Sequence, residues 1–338
     1  MSWDLRGWID GVAAAVERHR IGASRRYVRW TRADAEAKRS LGPNPYGCAD
    51  AVNLLYTIGR FPRDAAEREE FVKELRALQD PASGLFSEAT HHEIHTTAHC
   101  VAALELFDAA PAYSLAGLGE WTPPDRVEPF LEALPWRRDP WKASHRGAGL
   151  YAALALTGGA SLEWQDRYFG WLAREWDART GLLRQGCIGT DALPSLQTRF
   201  PHLAGTFHYL FNLEHARRAL PYPAALVETC LEIAAKDPFP LGRLVGFAEI
   251  DWVYCLTRSL RSGGRRSADA RRGRAVHSRV LSPFVLLRRP SRRAVPPLSR
   301  TSGFGRLART ADSQGLPRAR TGAGARRAVA RRHSRVTM

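Results

Sequence analysis

Residues 96–109, with the sequence TTAHCVAALELFDA, predict a helix that is apolar around nearly its whole circumference. Four further segments share this pattern, and each opens from a loop rich in Gly, Pro, Ser or His; they begin near Cys48, Arg146, Gly205 and Ile250. The successive starts of the five segments are 48, 50, 59 and 45 residues apart. Because stacked helical units recur at a period in this range, we predict a helical repeat.

Between these segments lie helices of a second kind, with one apolar stripe and one charged face. The stripes are Phe71, Val72, Leu75 and Leu78; Val127, Phe130, Leu131 and Leu134; Trp164, Tyr168, Trp171 and Leu172; and Leu226, Cys230 and Ile233. A helix that is apolar all round must be covered on every side, whereas a striped helix can face water. The alternation predicts an all-α fold in which an outer ring of helices wraps an inner ring. Such a fold is an α/α toroid, with about five recognisable helix pairs over residues 1–260.

Two turns that each follow a striped helix are near copies, DPASGLF at residues 80–86 and DARTGLL at residues 177–183. Gln79 with the first of these turns, and His95-Thr96 at the start of the next helix, resemble the superfamily of terpenoid cyclases and protein prenyltransferase β subunits. The resemblance covers roughly residues 40–260. It implies an α/α toroid that binds a prenyl compound or another small substrate in its central cavity.

The catalytic strings of these relatives do not occur in the sequence. It contains neither Asp-x-Asp-Asp nor Asp-Asp-x-x-Asp, and Cys48 and Asp50 have the spacing of the prenyltransferase zinc pair in reversed order. Residues 144–147 do not supply the Cys-His-Gly of a lanthionine cyclase. Similar toroids occur among polysaccharide lyases, glycoside hydrolases and sugar epimerases. A carbohydrate-active enzyme and a non-catalytic binding scaffold are therefore the alternatives.

The densest group of reactive side chains is the segment EATHHEIHTTAH, which ends at His99. On a helix His95 and His99 share one face at i, i+4, and His91 joins them if the helix begins earlier. Imidazoles at this spacing can bind Zn²⁺ or act as general acids and bases near neutral pH. We predict His95, His99 and Glu88 as catalytic residues, His95 and His99 as candidate zinc ligands, and His91 and His92 as substrate contacts. The alternative is that these histidines cap loops and bind buried carbonyl groups.

Further candidates lie near the starts of the other apolar helices. We predict that His145, Arg146, His208 and Asp50 contact substrate in the same cavity, and that Asp251, among apolar neighbours, donates a proton. Each residue also has a structural alternative. A histidine in a helix is commonly packed in the core, an arginine commonly forms an ordinary ion pair, and a carboxylate at a helix start commonly caps the helix.

The net charge of +16 is concentrated in the C-terminal segment. Residues 261–338 contain 21 Arg, two Asp and no Lys, a charge of +19 that leaves −3 for residues 1–260. This segment has no sustained apolar period, so we predict that it is disordered. Arg without Lys is typical of GC-rich DNA read out of frame. We therefore favour a frameshifted tail that leaves the ring incomplete, and we do not expect a nucleic-acid partner.

Cysteine usage and hydropathy give the expected compartment. The five cysteines are single and widely spaced, which fits a reducing environment: Cys48, Cys100, Cys187, Cys230 and Cys255. The N-terminus lacks a basic start followed by an apolar run, and no segment approaches about 18 uninterrupted apolar residues. We expect a cytoplasmic protein without a membrane span, and the sequence carries no signal for its oligomeric state.

Overall fold

The computed structural model describes residues 4–33, 38–188, 199–236 and 246–263. Within these ranges the chain forms helices and no strand, which confirms the predicted all-α class. Two short 3-10 helices, Ala116–Trp121 and Pro124–Arg126, accompany the α-helices. The α-helices are α1 (Arg6–Arg18), α2 (Pro45–Thr57), α3 (Ala65–Arg76), α4 (Glu93–Glu105), α5 (Val127–Glu132), α6 (Pro140–Leu156), α7 (Leu162–Glu175), α8 (Phe200–His215), α9 (Pro223–Lys236) and α10 (Phe247–Ser262).

The predicted boundary at residue 260 falls inside α10, which continues to Ser262. The predicted Arg-rich tail lies outside the described residues from position 264 onward. Each helix in the described ranges is too short or too polar to traverse a lipid bilayer.

The even-numbered helices are the five predicted apolar segments, and they begin three to six residues earlier than the sequence pattern predicts. The N–H groups of a first helical turn have no partner inside the helix, so polar caps and Pro are favourable there. The side chain of Asn44 accepts the N–H of Gly47 before α2, and that of Asp139 accepts the N–H of Lys142 before α6. Such first turns are not apolar, so a pattern of apolar residues misses them.

The even-numbered helices are more deeply buried than α3 and α7. In α8 every residue from Pro201 to Leu210 is buried, and in α2 every residue from Pro45 to Leu54 is buried. In α3, by contrast, the buried residues are Phe71 and Leu75. The even-numbered helices are covered on nearly all sides, whereas α3 and α7 keep a charged face in water, as their sequences predict.

The even-numbered helices pack in a continuous row. Helix α2 contacts α4, α4 contacts α6, α6 contacts α8, and α8 contacts α10. Helices α1 and α3 lie against α2, α9 lies against α10, and α5 packs on α7. Helix α4 joins the two hydrophobic clusters of the described residues, since Cys100 and Leu104 belong to one and Ile94 and Ala98 to the other.

Two glycines allow the backbones in this row to approach closely. A Cβ atom on Gly149 of α6 would lie 3.3 Å from the Cα of His95 on α4. A Cβ atom on Gly205 of α8 would lie 3.0 Å from the carbonyl oxygen of Pro140 at the start of α6. Since glycine has no Cβ, the N-terminal halves of α4, α6 and α8 come within reach of each other's side chains.

The two near-copy turns form the same hydrogen bonds. In each turn, Oδ1 of the Asp that begins it accepts a hydrogen bond from the N–H group three residues later, at 2.7 Å for Asp80 and 2.9 Å for Asp177. The glycine four residues after the Asp has a left-handed backbone, with φ of 70° at Gly84 and 69° at Gly181. Glycine adopts this conformation without strain, which explains its place in both turns.

A buried threonine joins each turn to the even-numbered helix that follows it. The N–H of Phe86 donates to Oγ1 of Thr97 on α4 at 2.9 Å, and the N–H of Leu183 donates to Oγ1 of Thr206 on α8 at 2.9 Å. Both threonines are fully buried. The turn that precedes α4 and the turn that precedes α8 are therefore attached to their helices in the same way.

Candidate functional site

Aromatic and imidazole rings from α2, α4, α6, α8 and the segment before α4 meet in one group, which we call the histidine cluster. Neighbouring ring centroids lie between 4.2 Å and 5.8 Å apart. The structure thus brings residues of the predicted 88–99 segment together with candidates from other helices. The rings of the cluster are Tyr46, His91, His95, His99, His145 and His208.

The histidine cluster is more accessible at one end than at the other. His91 and His95 are half-buried, whereas Tyr46, His99, His145 and His208 are buried. A cleft between α1, α2 and residues 27–29 borders the cluster and is lined in part by Arg29 and Asp50. His91 and His95 are therefore the more accessible rings of the cluster.

A carboxylate holds His91 in place. Oε1 of Glu88 lies 2.7 Å from Nδ1 of His91 and accepts a hydrogen bond from Nη1 of Arg29 at 3.1 Å. The side chains of Glu88 and Arg29 are 2% and 1% exposed. Burial alone would raise the pKa of Glu88, but the hydrogen bond from His91 and the positive charge of Arg29 lower it to about 2. Glu88 is therefore ionised near neutral pH and orients His91.

Tyr46, in the first turn of α2, connects three histidines of the cluster. Its ring stacks on His91 and His99, with centroid distances of 4.4 Å and 4.3 Å, and its hydroxyl oxygen lies 3.2 Å from Nε2 of His95. The guanidinium carbon of Arg29 lies 4.2 Å from the centroid of the same ring. The phenol is thus fixed in position with its hydroxyl directed at an imidazole nitrogen.

A second carboxylate holds His99. Nε2 of His99 lies 2.8 Å from Oδ1 of Asp50, and both side chains are buried. Asp50 is the sixth residue of α2, and Asn44 caps that helix, so the capping alternative for Asp50 is wrong. His99 is not among the three histidines whose ring nitrogens converge in the described part of the chain, and the zinc pair of His95 and His99 stays a prediction.

His95 converges instead with histidines from the two following helices. One ring nitrogen each of His95, His145 and His208 lie within 4.8 Å of one another. In the part of the chain that the structure describes, this is the group in which three metal-binding side chains meet. The rings of His95 and His145 stack at 4.2 Å with an interplanar angle of 11°, and His208 lies edge-on to both.

Neutral oxygen atoms hold His208. Its Nδ1 lies 3.0 Å from the carbonyl oxygen of Ala204 and 3.0 Å from Oγ of Ser144. The Ser144 hydroxyl donates its hydrogen to the carbonyl of Trp141 at 2.6 Å, so its oxygen is left to accept from His208. Nδ1 of His208 therefore carries the hydrogen in the neutral ring, and Nε2 carries the lone pair.

His92 and Arg146 lie at the edge of the site. His92 is the N-cap of α4, where its Nδ1 accepts the N–H of Ile94 at 3.2 Å, which agrees with the capping alternative. Burial and the positive charge of Arg146 lower the pKa of His92. Arg146 is partly exposed and contacts the ring of Phe130, with its guanidinium carbon 5.7 Å from the centroid. A role for either residue in substrate binding remains a prediction.

Helix α10 approaches the cluster through its first residue. Phe247 stacks on Trp141 at 4.6 Å, and Trp141 in turn contacts His145 edge-on at 5.2 Å. Asp251 is fully buried as the fifth residue of α10, beyond the capping position, so the capping alternative for Asp251 is wrong as well. Glu249 is the residue that accepts the N–H of the N-cap, at 2.8 Å.

Three residues of the site have no part in the sequence prediction. Arg29 lies in a segment between α1 and α2 and reaches partners 59 and 62 positions away, for which the sequence offers no signal. Ser144 is one of many small polar residues in helices. Tyr46 could be found from the sequence, because it brings a hydroxyl group into the first turn of an apolar helix.

No protein-family model, curated protein or solved structure matches the chain. The geometry of the histidine cluster is therefore the basis for assigning a function.

Proposed function

We propose that the protein is an enzyme that carries out acid–base chemistry on a small polar substrate at the histidine cluster. We further propose that the helices form an α/α toroid, with the even-numbered helices inside. The continuous row of buried helices and the matched turns before α4 and α8 support this arrangement. The resemblance of residues 79–86 to terpenoid cyclases and prenyltransferases supports the same fold.

The observation that carries the proposal is the pair of carboxylate-bound imidazoles on either side of one phenol. His91 is bound to Glu88, His99 is bound to Asp50, and Tyr46 lies between them. A carboxylate fixes the orientation of an imidazole and favours its protonated form, which prepares the ring to donate and accept protons. Tyr46 supplies a hydroxyl group that can pass a proton to or from His95.

The polar side chains of the histidine cluster favour a carbohydrate substrate over a prenyl chain. A prenyl chain would remove water from imidazole, phenol and carboxylate groups without giving them hydrogen bonds, which is unfavourable. A sugar, by contrast, offers hydroxyl groups that can form hydrogen bonds with the same side chains. We therefore place the carbohydrate-active enzyme first. A prenyl diphosphate enzyme is the second candidate, and the observation in its favour is the turn at residues 79–86.

A ligand screen separates these candidates. The purified chain is heated with neutral oligosaccharides, with oligosaccharides that contain uronic acids, and with prenyl diphosphates, and the midpoint of unfolding is recorded. We expect an oligosaccharide to raise the midpoint and to be converted to products that mass spectrometry detects. A rise with prenyl diphosphates alone would favour the second candidate. No rise with any ligand would favour a binding scaffold.

A variant of Tyr46 then tests the proposed role of the phenol. Tyr46→Phe should keep the rise in unfolding midpoint but lower the rate of conversion by at least about 100-fold, because it removes the proton-transfer group and keeps the ring. Tyr222→Phe, at a tyrosine that is 46% exposed, is the control and should convert substrate normally. Normal conversion by Tyr46→Phe would contradict the role.

A further inference from the structure

Three histidines of the cluster, from α4, α6 and α8, point to a second property. We infer that His95, His145 and His208 together bind a divalent transition-metal ion, preferentially Zn²⁺, through one ring nitrogen each. The inference concerns the same cluster as the proposed function but does not depend on it, because metal binding can be measured without turnover.

The first support is convergence from three helices. The three ring nitrogens lie within 4.8 Å of one another, and α4, α6 and α8 each supply one. Nitrogen atoms around a tetrahedral zinc lie about 3.3 Å apart, given zinc–nitrogen distances of about 2.0–2.1 Å. To bind one ion, the side chains must rotate to close this difference, while the close helix contacts at Gly149 and Gly205 hold the backbones near one another.

The second support is the charge state that this packing requires. Three protonated imidazoles at ring separations of 4.2 Å to 5.6 Å would repel one another strongly, since His145 and His208 are buried and poorly screened by water. Rings in the neutral state avoid this repulsion. A neutral imidazole has one nitrogen with a lone pair, and that is the form that binds metal ions.

The third support is the set of groups that form hydrogen bonds with the second ring nitrogens, those that would not bind the metal. In protein metal sites the second nitrogen of a histidine ligand usually donates to a carbonyl or a similar acceptor, which fixes the ring and its tautomer. Nδ1 of His208 donates to Ala204 and Ser144 in this way, which leaves the lone pair on Nε2. For His95 the corresponding partner is the hydroxyl of Tyr46, at 3.2 Å from Nε2.

The donor set indicates the kind of metal. Three imidazoles suit zinc and the neighbouring transition metals, whereas calcium and magnesium prefer oxygen ligands. Three protein ligands leave a fourth position for water, which is the arrangement of catalytic rather than structural zinc. The half-buried position of His95 gives water access to that fourth position.

Zinc titration of the full chain tests the inference. The purified protein is treated with a chelator, which is then removed, and zinc is added in a calorimeter while circular dichroism monitors folding. We expect one zinc ion per chain. His95→Gln, His145→Gln and His208→Gln should each weaken binding by at least about 100-fold, because each removes a direct ligand. His215→Gln, two turns further along α8, is the control and should bind zinc normally.

A folded wild-type chain that binds no zinc would overturn the inference, and so would three variants that bind it as tightly as the wild type. If a variant does not fold, the cobalt spectrum of the wild-type chain decides, because four-coordinate cobalt absorbs visible light far more strongly than six-coordinate cobalt. Strong bands support the site, and weak bands contradict it. Oligosaccharide conversion by a chain that binds no zinc would leave the proposed function standing and remove the metal site.

Discussion

His99 on α4 and His208 on α8 each follow, by two residues, the threonine that binds the preceding turn, Thr97 or Thr206. In α4 the imidazole is bound to the carboxylate of Asp50, whereas in α8 it is bound to neutral oxygen atoms. A carboxylate favours an imidazole that carries a proton, and neutral acceptors favour a neutral imidazole with a lone pair. Helices α4 and α8 thus bind their preceding turns in the same way but hold their imidazoles in different environments. The residue on the neighbouring helix, Asp50 for His99 and Ser144 for His208, makes the difference.

Removal of the carboxylate from the α4 side should have the largest effect. Asp50→Ala leaves the buried imidazole of His99 without its acceptor, so we expect the free energy of unfolding to fall by about 3–5 kcal/mol. Denaturation in urea measures this change. The control is Asp10→Ala, which removes a surface ion pair with Arg60 and should cost less than about 1 kcal/mol. Equal losses in the two variants would show that the buried pair contributes no more to stability than the surface ion pair.

The carboxylate of Glu88 should make stability depend on pH. The hydrogen bond from His91 and the charge of Arg29 outweigh the effect of burial and lower the pKa of Glu88 from 4.5 to about 2. A carboxyl group whose pKa is lower in the folded state stabilises the fold above its unfolded pKa, and this stability is lost as the pH falls. The free energy of unfolding should therefore decrease by about 3 kcal/mol as the pH falls from about 4.5 to about 2 because of Glu88.

Glu88→Gln checks that prediction, because glutamine does not titrate. Urea denaturation of the variant at a series of pH values should show a flatter dependence between about pH 4.5 and about pH 2, and lower stability at neutral pH. Glu163→Gln, in an exposed i, i+4 ion pair on α7, is the control and should keep the wild-type dependence. Identical slopes for Glu88→Gln and the wild type would contradict the low pKa.

Because α4 and α8 bind their preceding turns through equivalent threonines, we predict similar losses of stability when either threonine is replaced. Thr97→Val and Thr206→Val each leave a buried backbone N–H without an acceptor, so each should lower the free energy of unfolding by about 1–3 kcal/mol. Thr57→Val, whose hydroxyl donates to a carbonyl within its own helix, should cost less. A large loss at one of the two buried threonines and none at the other would break the equivalence of the α4 and α8 units.

The smallest effect is expected at the neutral partner of His208. Ser144→Ala removes one of two oxygen atoms around Nδ1, and the carbonyl of Ala204 still accepts its hydrogen. The free energy of unfolding should fall by about 1 kcal/mol, as is usual for one hydrogen bond. Thermal or urea denaturation measures it. A loss as large as that of Asp50→Ala would mean that the α8 imidazole depends on a strong polar partner after all.

Local patterns predict part of this structure correctly. The alternation of apolar and striped segments gives the all-α class and the location of every even-numbered helix, and the turns at residues 80–86 and 177–183 match as their sequences indicate. Helix starts are predicted late because the first turns contain caps and Pro. The central cavity and its substrate remain proposals.

The candidate site is predictable only where it lies within one segment. Glu88, His91, His95 and His99 are close in the sequence, although Glu88 and His91 lie before α4 and a helical spacing groups His95 with His99 alone. The meeting of His95 with His145 and His208 depends on how α4, α6 and α8 rotate and approach, which side-chain packing across the row determines. Asp50 joins His99 from α2 for the same reason.

Zinc binding by two matched variants tests the central claim most directly. The claim is that the histidine cluster has a carboxylate-bound part around His99 and a metal-binding part formed by His95, His145 and His208. In His99→Gln the amide can still donate to Asp50, and the ligands on α4, α6 and α8 are unchanged, so we predict one zinc ion per chain with wild-type affinity. In His208→Gln we predict an affinity at least about 100-fold weaker. Loss of zinc in His99→Gln together with normal binding in His208→Gln would contradict the division, and so would equal behaviour of the two variants.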